Sequence, residues 1–147
     1  MIRKAKESDL RRIVEMSEKF YPYTPYIQLA PFNPTAAGAL ANVLIEQGIM
    51  LVAEDEGEVV GMVGLILVPF LFEPERLGAY EVIWWVEPEY QTKGVGKALL
   101  DAIDPAAKQR GVDFIHMVCM ADSPIQAAAL YIKSGYDHTE MSFTKRI

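Results

Sequence analysis

The spacing of hydrophobic positions in this chain switches repeatedly between strand-like and helix-like patterns. Runs in which almost every residue is apolar, such as 59–68 and 79–86, are typical of buried strands. Apolar residues three or four positions apart, as in 10–20 and after Gly94, indicate amphipathic helices. The predicted order is βααβββαβαβ: strands at 2–5, 49–53, 59–68, 79–86, 114–120 and 141–145, a connecting loop at 69–78, and helices at 10–20, after Asn33-Pro34, after Gly94 and after Ser123-Pro124.

The clearest local signal lies between Trp84 and Leu100. An apolar run ends at Val86, a proline-containing turn follows, and Gly94-x-Gly96 directly precedes a helix pattern. Glycines at such a junction let the backbone approach a ligand closely, and the free N–H groups of a helix's first turn favour an anion. The pattern therefore predicts a cradle for a diphosphate.

Two common phosphate-binding motifs do not fit this stretch. A Walker loop requires a glycine where Gln91 stands and a hydroxyl where Ala98 stands. The dinucleotide-binding fingerprint requires a third glycine at the position of Leu99. Neither class of nucleotide-binding loop is therefore expected here.

The remaining motif, Gln91-x-x-Gly94-x-Gly96, resembles the acyl-CoA loop of the GNAT N-acetyltransferase superfamily. The resemblance is close over residues 86–136, and beyond them it concerns only the order of the elements. It is carried further by three flanking motifs, Val86-x-Pro88-x-Tyr90, Gly96-Lys97-Ala98-Leu99-Leu100 and Leu130-Tyr131-x-x-x-Gly135-Tyr136.

The resemblance implies an α/β (α+β) fold in which a mixed central sheet is splayed between strands 4 and 5 and flanked by about four helices. At 147 residues, one such domain over 1–147 is expected. The family usually ends in a two-stranded hairpin. Because few residues follow Gly135, we expect that hairpin to be reduced to one strand, which leaves a sheet edge that could pair in a homodimer.

Composition restricts the setting and the partners. The net charge of −6 argues against nonspecific nucleic-acid binding and mildly favours an amine partner. The single cysteine, Cys119, has no internal disulfide partner, which favours a reducing compartment. The N-terminus is charged and the longest apolar run is too short to span a bilayer, so no membrane association is expected. We expect a cytoplasmic protein.

The resemblance also implies which residues bind acetyl-CoA. Backbone N–H groups across the loop would hold the pyrophosphate, the end of the fourth strand would pair with the pantetheine arm, and an N–H there would polarise the thioester carbonyl. The ring of either tryptophan at this strand end is expected to be a core side chain. A contact from Ser123 is implied less directly, because the family often has Asn near this helix start. The implied cofactor-binding residues are Trp85, Val86, Gln91, Thr92, Lys93, Gly94, Val95, Gly96, Lys97 and Ser123.

Two residues are candidates for proton transfer. Tyr131 occupies the position of the family tyrosine that lies beside the thioester sulfur and donates a proton to the leaving thiolate. Glu81, on the fourth strand, is the carboxylate best placed to deprotonate the amine, although a slip of one residue would turn it to the other face.

Other polar residues are interpreted as structural. Glu87 and Glu89 are expected to be solvated loop charges, His116 and His138 polar sheet residues, and Cys119 a buried, inert thiol in an apolar strand. No spacing of Cys, His and Asp suggests a metal site.

The acceptor is expected to bind at two connections. The segment between the first two helices contains Tyr21, Tyr23 and Tyr26, and the loop between the third and fourth strands contains Phe72. Together they could line a slot for an amine on an apolar or cationic body. A packed loop beside an exposed acidic turn is the alternative.

The leading hypothesis is an enzyme that transfers an acetyl group from acetyl-CoA to a primary amine, directly within a ternary complex. The alternatives are a noncatalytic acyl-CoA-binding or regulatory module and an interaction domain on the same fold. The acceptor stays open among a polyamine-like molecule, an antibiotic amine, an amino acid and a protein amine.

Overall fold

The computed structural model describes all residues, 1–147, and contains one five-stranded sheet with helices on both faces. The strands lie in sequence order across the sheet. Neighbours are antiparallel except for the last pair, which is parallel. None of the helices is long and apolar enough to cross a membrane. The elements are β1 (Ile2–Lys4), α1 (Leu10–Phe20), α2 (Pro34–Glu46), β2 (Ile49–Asp55), β3 (Glu58–Phe70), β4 (Glu73–Val86), α3 (Val95–Gln109), β5 (Phe114–His116) and α4 (Ile125–Lys133).

The two faces of the sheet carry separate hydrophobic clusters, because successive residues of a strand point to opposite sides. In β2, for example, Leu51 packs with α3, whereas Val52 packs with α1 and α2. Leu99 and Ile103 of α3 and Tyr131 of α4 complete the first cluster, and Ile13 of α1 belongs to the second. We call these sides the α3/α4 face and the α1/α2 face.

The sheet forks between β4 and β5. Pairing between these strands is limited to Gly78–Tyr80 against Phe114–His116, and from there to Val86 β4 pairs only with β3. The expected splay between strands 4 and 5 is therefore confirmed. The parallel pair opens towards the carboxyl ends of its strands, which is the side where ligands bind in open α/β sheets.

A β-bulge in β4 lies beside the fork. Gly64 of β3 pairs with Ile83, but its neighbour Leu65 pairs with Glu81, so Val82 is an extra residue in β4. Without the bulge, simple alternation would place Glu81 on the α1/α2 face with Ile83. The extra residue turns Glu81 to the α3/α4 face instead.

The prediction of a connecting loop at 69–78 is wrong. β3 extends to Phe70 and β4 begins at Glu73, so a two-residue turn, Leu71-Phe72, joins them. Pro69 does not end the strand, because β3 has no β2 partner beyond Leu65, and a proline is tolerated where its missing N–H would face an open edge.

The end of the chain also differs from expectation. The predicted strand 141–145 does not form, and β5 is three residues long rather than spanning 114–120. Because residues 117–120 turn away from β4 at the fork, they leave the ladder that would have continued β5. Two side chains of the tail make polar contacts with other elements: Glu140 lies 3.9 Å from the His116 imidazole, and Arg146 donates to the Gln28 carbonyl.

Candidate active site

The N-terminus of α3 presents an array of free backbone donors. Gly94 adopts the left-handed conformation, with φ of +79°, and its carbonyl accepts the first helical hydrogen bond, from Ala98. The N–H groups of Gly94, Val95, Gly96 and Lys97 make no hydrogen bond within the chain. Four donors at the positive end of a helix dipole form a site that fits a diphosphate.

The loop before this helix is tied to the end of β4. The side-chain amide of Gln91 donates to the Val86 carbonyl over 3.0 Å. The Lys93 ammonium lies 4.2 Å from the centre of the Tyr90 ring, and Thr92 is exposed in the turn. The Gln91 side chain therefore stabilises the loop by linking it to the end of β4.

The lysine at the start of the helix is paired within α3. The Lys97 ammonium forms an exposed ion pair with Asp101, one turn further along. The positive character of the cradle therefore comes mainly from backbone N–H groups, with Lys97 available only if it leaves Asp101.

The adjacent tryptophans of β4 lie on opposite faces. Trp84 packs on the α3/α4 face with its ring 5.5 Å from that of Tyr131. Trp85 is buried on the α1/α2 face, where its ring lies 5.5 Å from Tyr23 and 6.1 Å from Phe20. Of the two side chains, only that of Trp84 shares a face with the α3 N-terminus.

Glu81 and Tyr131 meet at the fork. The Glu81 carboxylate accepts a 2.8 Å hydrogen bond from the Val118 N–H, and its Oε2 lies 3.4 Å from the Tyr131 hydroxyl. That hydroxyl donates to the Val118 carbonyl over 2.9 Å. The structure thus brings together the two residues predicted to move protons, and adds the backbone of Val118, which no sequence pattern indicated.

Burial changes the acidity of both groups. It raises the pKa of Glu81 to about 7, although hydrogen bonds from Val118 and Tyr131 act in the opposite direction. Burial, together with the negative charge of Glu81, raises the pKa of Tyr131 well above its usual value. Near neutral pH, the Glu81 carboxylate is therefore able to accept a proton, while the Tyr131 hydroxyl stays protonated.

The prediction that Glu87 is a solvated loop charge is wrong. Glu87 is only 5 % exposed, and its Oε1 accepts hydrogen bonds from Arg12 over 2.6 Å and from Lys19 over 2.8 Å. Burial alone would raise the pKa of Glu87, but the bonds from Lys19 and Arg12 outweigh burial and lower it. Both partners belong to α1, so this ion cluster fastens α1 to the end of β4. Glu89, by contrast, is exposed.

The predictions for Cys119, His138 and His116 have different outcomes. Cys119 is exposed, because the segment after His116 leaves the sheet, so its prediction as a buried thiol is wrong. His138 lies outside any strand, whereas His116 is a sheet residue as expected, with its ring 5.4 Å from that of Tyr80. The chain has no group of three or more His, Cys, Asp or Glu side chains that could hold a metal ion.

The Ser123 hydroxyl makes a hydrogen bond within the protein. Its hydroxyl oxygen accepts a hydrogen bond from the Met120 N–H, and α4 begins two residues later, at Ile125, without a side-chain cap. This bond closes the turn that leads into the helix of Tyr131.

The predicted acceptor residues do not form one slot. The Tyr21 hydroxyl is bonded to the carbonyls of Tyr26 and Ala30, and Tyr23 lies over Trp85. Phe72, 87 % exposed, is at the tip of the β3–β4 hairpin. Trp85 pairs with Met62, and the strand from Met62 to Phe70 spans roughly 26 Å at about 3.3 Å per residue. Phe72 is therefore remote from the three tyrosines.

Comparison with known proteins identifies the family and the fold. The sequence model of the acetyltransferase (GNAT) family matches residues 9–136. A putative acetyl transferase from Pyrococcus furiosus is 23% identical, with a TM-score of 0.77 and coverage of 100% of this chain and 99% of that one. A transcriptional regulator from Bacillus halodurans C-125 is 20% identical, with a TM-score of 0.78 and the same coverage.

A third similar structure contains a ligand. A predicted acetyltransferase from Clostridium acetobutylicum, whose structure includes acetyl-CoA, is 16% identical, with a TM-score of 0.76 and coverage of 99% of this chain and 95% of that one. At these identities the likeness concerns the fold, which all three structures share with this chain.

Proposed function

Since the chain belongs to the acetyltransferase (GNAT) family, we propose that it transfers an acetyl group from acetyl-CoA to a primary amine, directly within a ternary complex. The observation that supports this most is the placement of two features on the α3/α4 face. The free N–H groups of the α3 N-terminus and the Glu81–Tyr131 pair at the fork are both on this side of the sheet. One donor molecule can therefore reach both features.

In this proposal the first turn of α3 holds the diphosphate of the donor. Gly94, Val95, Gly96 and Lys97 supply the N–H groups, and Gln91 keeps the loop closed on Val86. The open edge of β4 beyond Tyr80 offers unpaired backbone groups to the pantetheine arm, as far as Trp85 and Val86. The donor supplies the acetyl thioester.

Glu81 is the proposed general base. An ammonium ion has no lone pair, so the acceptor must lose a proton before its nitrogen can form a bond to the acetyl carbonyl carbon. A carboxyl group with a pKa near 7 can take up that proton at neutral pH. Glu81 is only partly buried at the fork, where an amine that enters between β4 and β5 could reach it.

Tyr131 is the proposed acid. As the carbon–sulfur bond breaks, its hydroxyl gives a proton to the departing sulfur, and the proton that Glu81 took from the acceptor replaces it on Tyr131. An ammonium ion loses two protons when it becomes an amide, so the second proton, released from the nitrogen as the amide forms, passes to solvent. The hydroxyl lies 2.9 Å from the Val118 carbonyl and 3.4 Å from Glu81, so it already belongs to a hydrogen-bonded chain that can return the proton.

A noncatalytic acyl-CoA-binding or regulatory module is the second candidate. One observation favours it: the transcriptional regulator from Bacillus halodurans has the same fold over the full length of this chain. On this alternative the α3 cradle binds the donor, but the Glu81–Tyr131 pair transfers no proton.

The two candidates are separated by a turnover assay. Thiol release from acetyl-CoA is measured with a panel of acceptors: a polyamine, an aminoglycoside, free amino acids and a peptide with a free N-terminus. The proposal predicts release above the no-acceptor rate with at least one class, and loss of that release in Glu81→Gln. Binding of acetyl-CoA without release with any acceptor would favour the noncatalytic module.

A further inference from the structure

A row of aromatic side chains is left uncovered on the α1/α2 face of the sheet. It starts at the tip of the β3–β4 hairpin and ends at the last residue of β5, and each ring centre lies between 5.4 and 5.8 Å from the next. Its members belong to neither hydrophobic cluster. We call this row the aromatic strip, and its members in order are Phe72, Phe70, Phe114, Tyr80 and His116.

The strip faces away from α3 and α4. Ala79 and Ile115 pack in the cluster of the α3/α4 face, so Tyr80 and the residues on either side of Ile115 point to the opposite face. Gly78 allows two rings of the strip to meet over the strand, because a methyl group there would lie 2.6 Å from both the Phe114 and the Tyr80 ring. The rings are at least partly exposed. The helices α1 and α2 therefore leave the strip open to a ligand.

An open groove of about 470 Å³ lies along the hairpin half of the strip. It is lined by the rings of Phe70 and Phe114 and by Arg76 and Asp113. Arg76 and Asp113 pair with each other over 3.1 Å, so no unpaired charge lines the groove. Its volume is within the range of small-molecule sites, and its phenyl rings favour an apolar or aromatic occupant.

The other end of the strip, at the fork, is acidic. The Glu140 carboxylate lies 3.9 Å from the His116 imidazole. Tyr80 directly precedes Glu81 in β4, and the pairing of β4 with β5 ends at Tyr80, so the gap of the fork opens at this end of the strip. Neither Glu81 nor Glu140 is paired with Lys or Arg. The strip is therefore apolar along its length and negative at the end nearest the proposed general base.

We propose that the aromatic strip binds the acceptor of the acetyl transfer, and that this acceptor is a primary amine on an aromatic or extended apolar body. The ammonium group lies at the fork, towards Glu81 and Glu140, and the apolar body lies on the rings towards the hairpin tip. This inference rests on the proposed function and names the substrate class of its acceptor.

The length of the strip limits the size of the apolar body. Tyr80 pairs with Ile66, and the four steps from Ile66 to Phe70 span roughly 13 Å at about 3.3 Å per residue. A phenyl or bicyclic ring on a short alkyl chain fits this length. A hydrophilic polyamine fits less well, because it has little apolar surface to bury against the rings.

Two matched acceptors test the substrate class. 4-Phenylbutylamine and butylamine share the amine and the four-carbon chain, and only the first carries a ring. In the thiol-release assay, kcat/KM should be about 10- to 100-fold higher for 4-phenylbutylamine, the effect of burying one phenyl ring. Equal kcat/KM for the two amines, or a preference for a polyamine over both, would overturn the proposal.

Variants of the strip test its position. Phe114→Leu removes the central ring and should raise KM for 4-phenylbutylamine about tenfold, while Phe72→Ser, at the outer end, should raise it about two- to threefold. Both should leave kcat and the butylamine kinetics nearly unchanged. Leu71→Ser is the matched control, because Leu71 is 85 % exposed and Phe72 is 87 % exposed, but Leu71 is outside the strip. Equal losses for both amines in Phe114→Leu and Phe72→Ser would overturn the proposal.

Direct binding separates this inference from the proposed function. The chain has two histidines, so in His138→Gln the imidazole signals in proton NMR belong to His116 alone. With coenzyme A present, which has no acetyl group to transfer, 4-phenylbutylamine should shift these signals in a saturable way and butylamine much less. A saturable shift without thiol release would support amine binding by the strip while the acetyltransferase proposal fails. Thiol release with a hydrophilic amine, and no shift by 4-phenylbutylamine, would overturn only the role of the strip.

Sedimentation tests whether a second copy of the chain covers the strip instead. A wild-type monomer, or a dimer that persists in Phe72→Ser, leaves the strip available to an acceptor and supports the proposal. A wild-type dimer that dissociates in Phe72→Ser would make the strip an interface between copies and would overturn it. Circular dichroism of each variant shows whether the fold is intact.

Discussion

Glu81 Oε2 lies 3.4 Å from the Tyr131 hydroxyl, and both groups are bonded to the backbone of the same residue, Val118. This relationship joins β4, the segment after β5 and α4 at the point where the sheet forks. It places a carboxylate in a partly buried, poorly solvated position without a cationic partner, which is why its pKa rises. A carboxyl group in such a position is suited to take up a proton at neutral pH.

The first prediction concerns Glu81 and pH. The carboxyl group is protonated, and unable to act as a base, below its pKa of about 7. The kcat/KM for the acceptor should therefore rise as pH increases through 7 and then level off. Glu81→Gln should lower the plateau by about 10²- to 10⁴-fold and remove this step. An unchanged pH profile in Glu81→Gln would assign the base to another group.

The second prediction compares two neighbouring tyrosines. Tyr131→Phe removes the hydroxyl that faces Glu81 and should lower kcat about 10²-fold or more. Tyr136→Phe is the matched control, because its ring lies 5.8 Å from that of Tyr131 but its buried hydroxyl has no partner. It should keep wild-type turnover. Wild-type kcat in Tyr131→Phe across the pH range would contradict the role of Tyr131 as the acid.

The third prediction concerns the buried carboxylate of Glu87. Arg12→Met leaves this carboxylate with only the half-exposed Lys19, and should lower the free energy of unfolding by about 3 kcal/mol, the low end for a broken buried pair. Lys19→Met should cost about 1 kcal/mol or less, since the lysine is largely solvated. Urea unfolding at pH 7 measures both values.

The stability that the Glu87 ion cluster contributes should decrease in acid. The pKa of Glu87 is lowered in the folded protein, so its contribution to stability is present above the usual pKa of a glutamate and is lost as pH falls through the lowered value. The difference in stability between wild type and Arg12→Met should therefore shrink in acid. A difference that persists in acid far below the usual pKa of a glutamate would indicate that Arg12 stabilises the fold through packing instead.

Local features were predictable from the sequence because they depend on neighbouring residues. The strand, the turn and the helix start around Gly94 follow from glycine and proline positions and from apolar spacing, and the structure contains all three. The fork between β4 and β5 was also predictable, because the sequence resembles a family whose sheets are splayed at this point.

Long-range features were not predictable in the same way. Glu87 lies in a segment that looks like an ordinary loop, and its partners Lys19 and Arg12 are 68 and 75 positions away in the sequence. The face of Glu81 depends on the bulge at Val82, which no local pattern revealed. The sequence could therefore name Glu81 as a candidate base but could not assign its side of the sheet, and its role as the base stays a prediction.

The extension of the β3–β4 hairpin was missed for a related reason. Pro69 and Pro74 indicate a loop if each strand is assumed to have neighbours on both sides. At this end of the sheet the outer edges are open, and prolines are accommodated. Phe72 therefore lies at the tip of this hairpin rather than in a longer loop, and its role in binding the acceptor stays a prediction.

The most direct test of the account is titration calorimetry of acetyl-CoA into wild type and the double variant Gly94→Glu/Gly96→Glu. The variant places two carboxylates at the free N–H groups of α3, where they should repel the diphosphate. Gly57→Glu/Gly111→Glu is the control, because it adds equal charge at glycines with positive φ and open surroundings elsewhere. We predict binding by wild type and the control and none by the α3 variant. Absence of binding by wild type, or equal binding by all three proteins, would contradict the assignment of this helix end as the donor site.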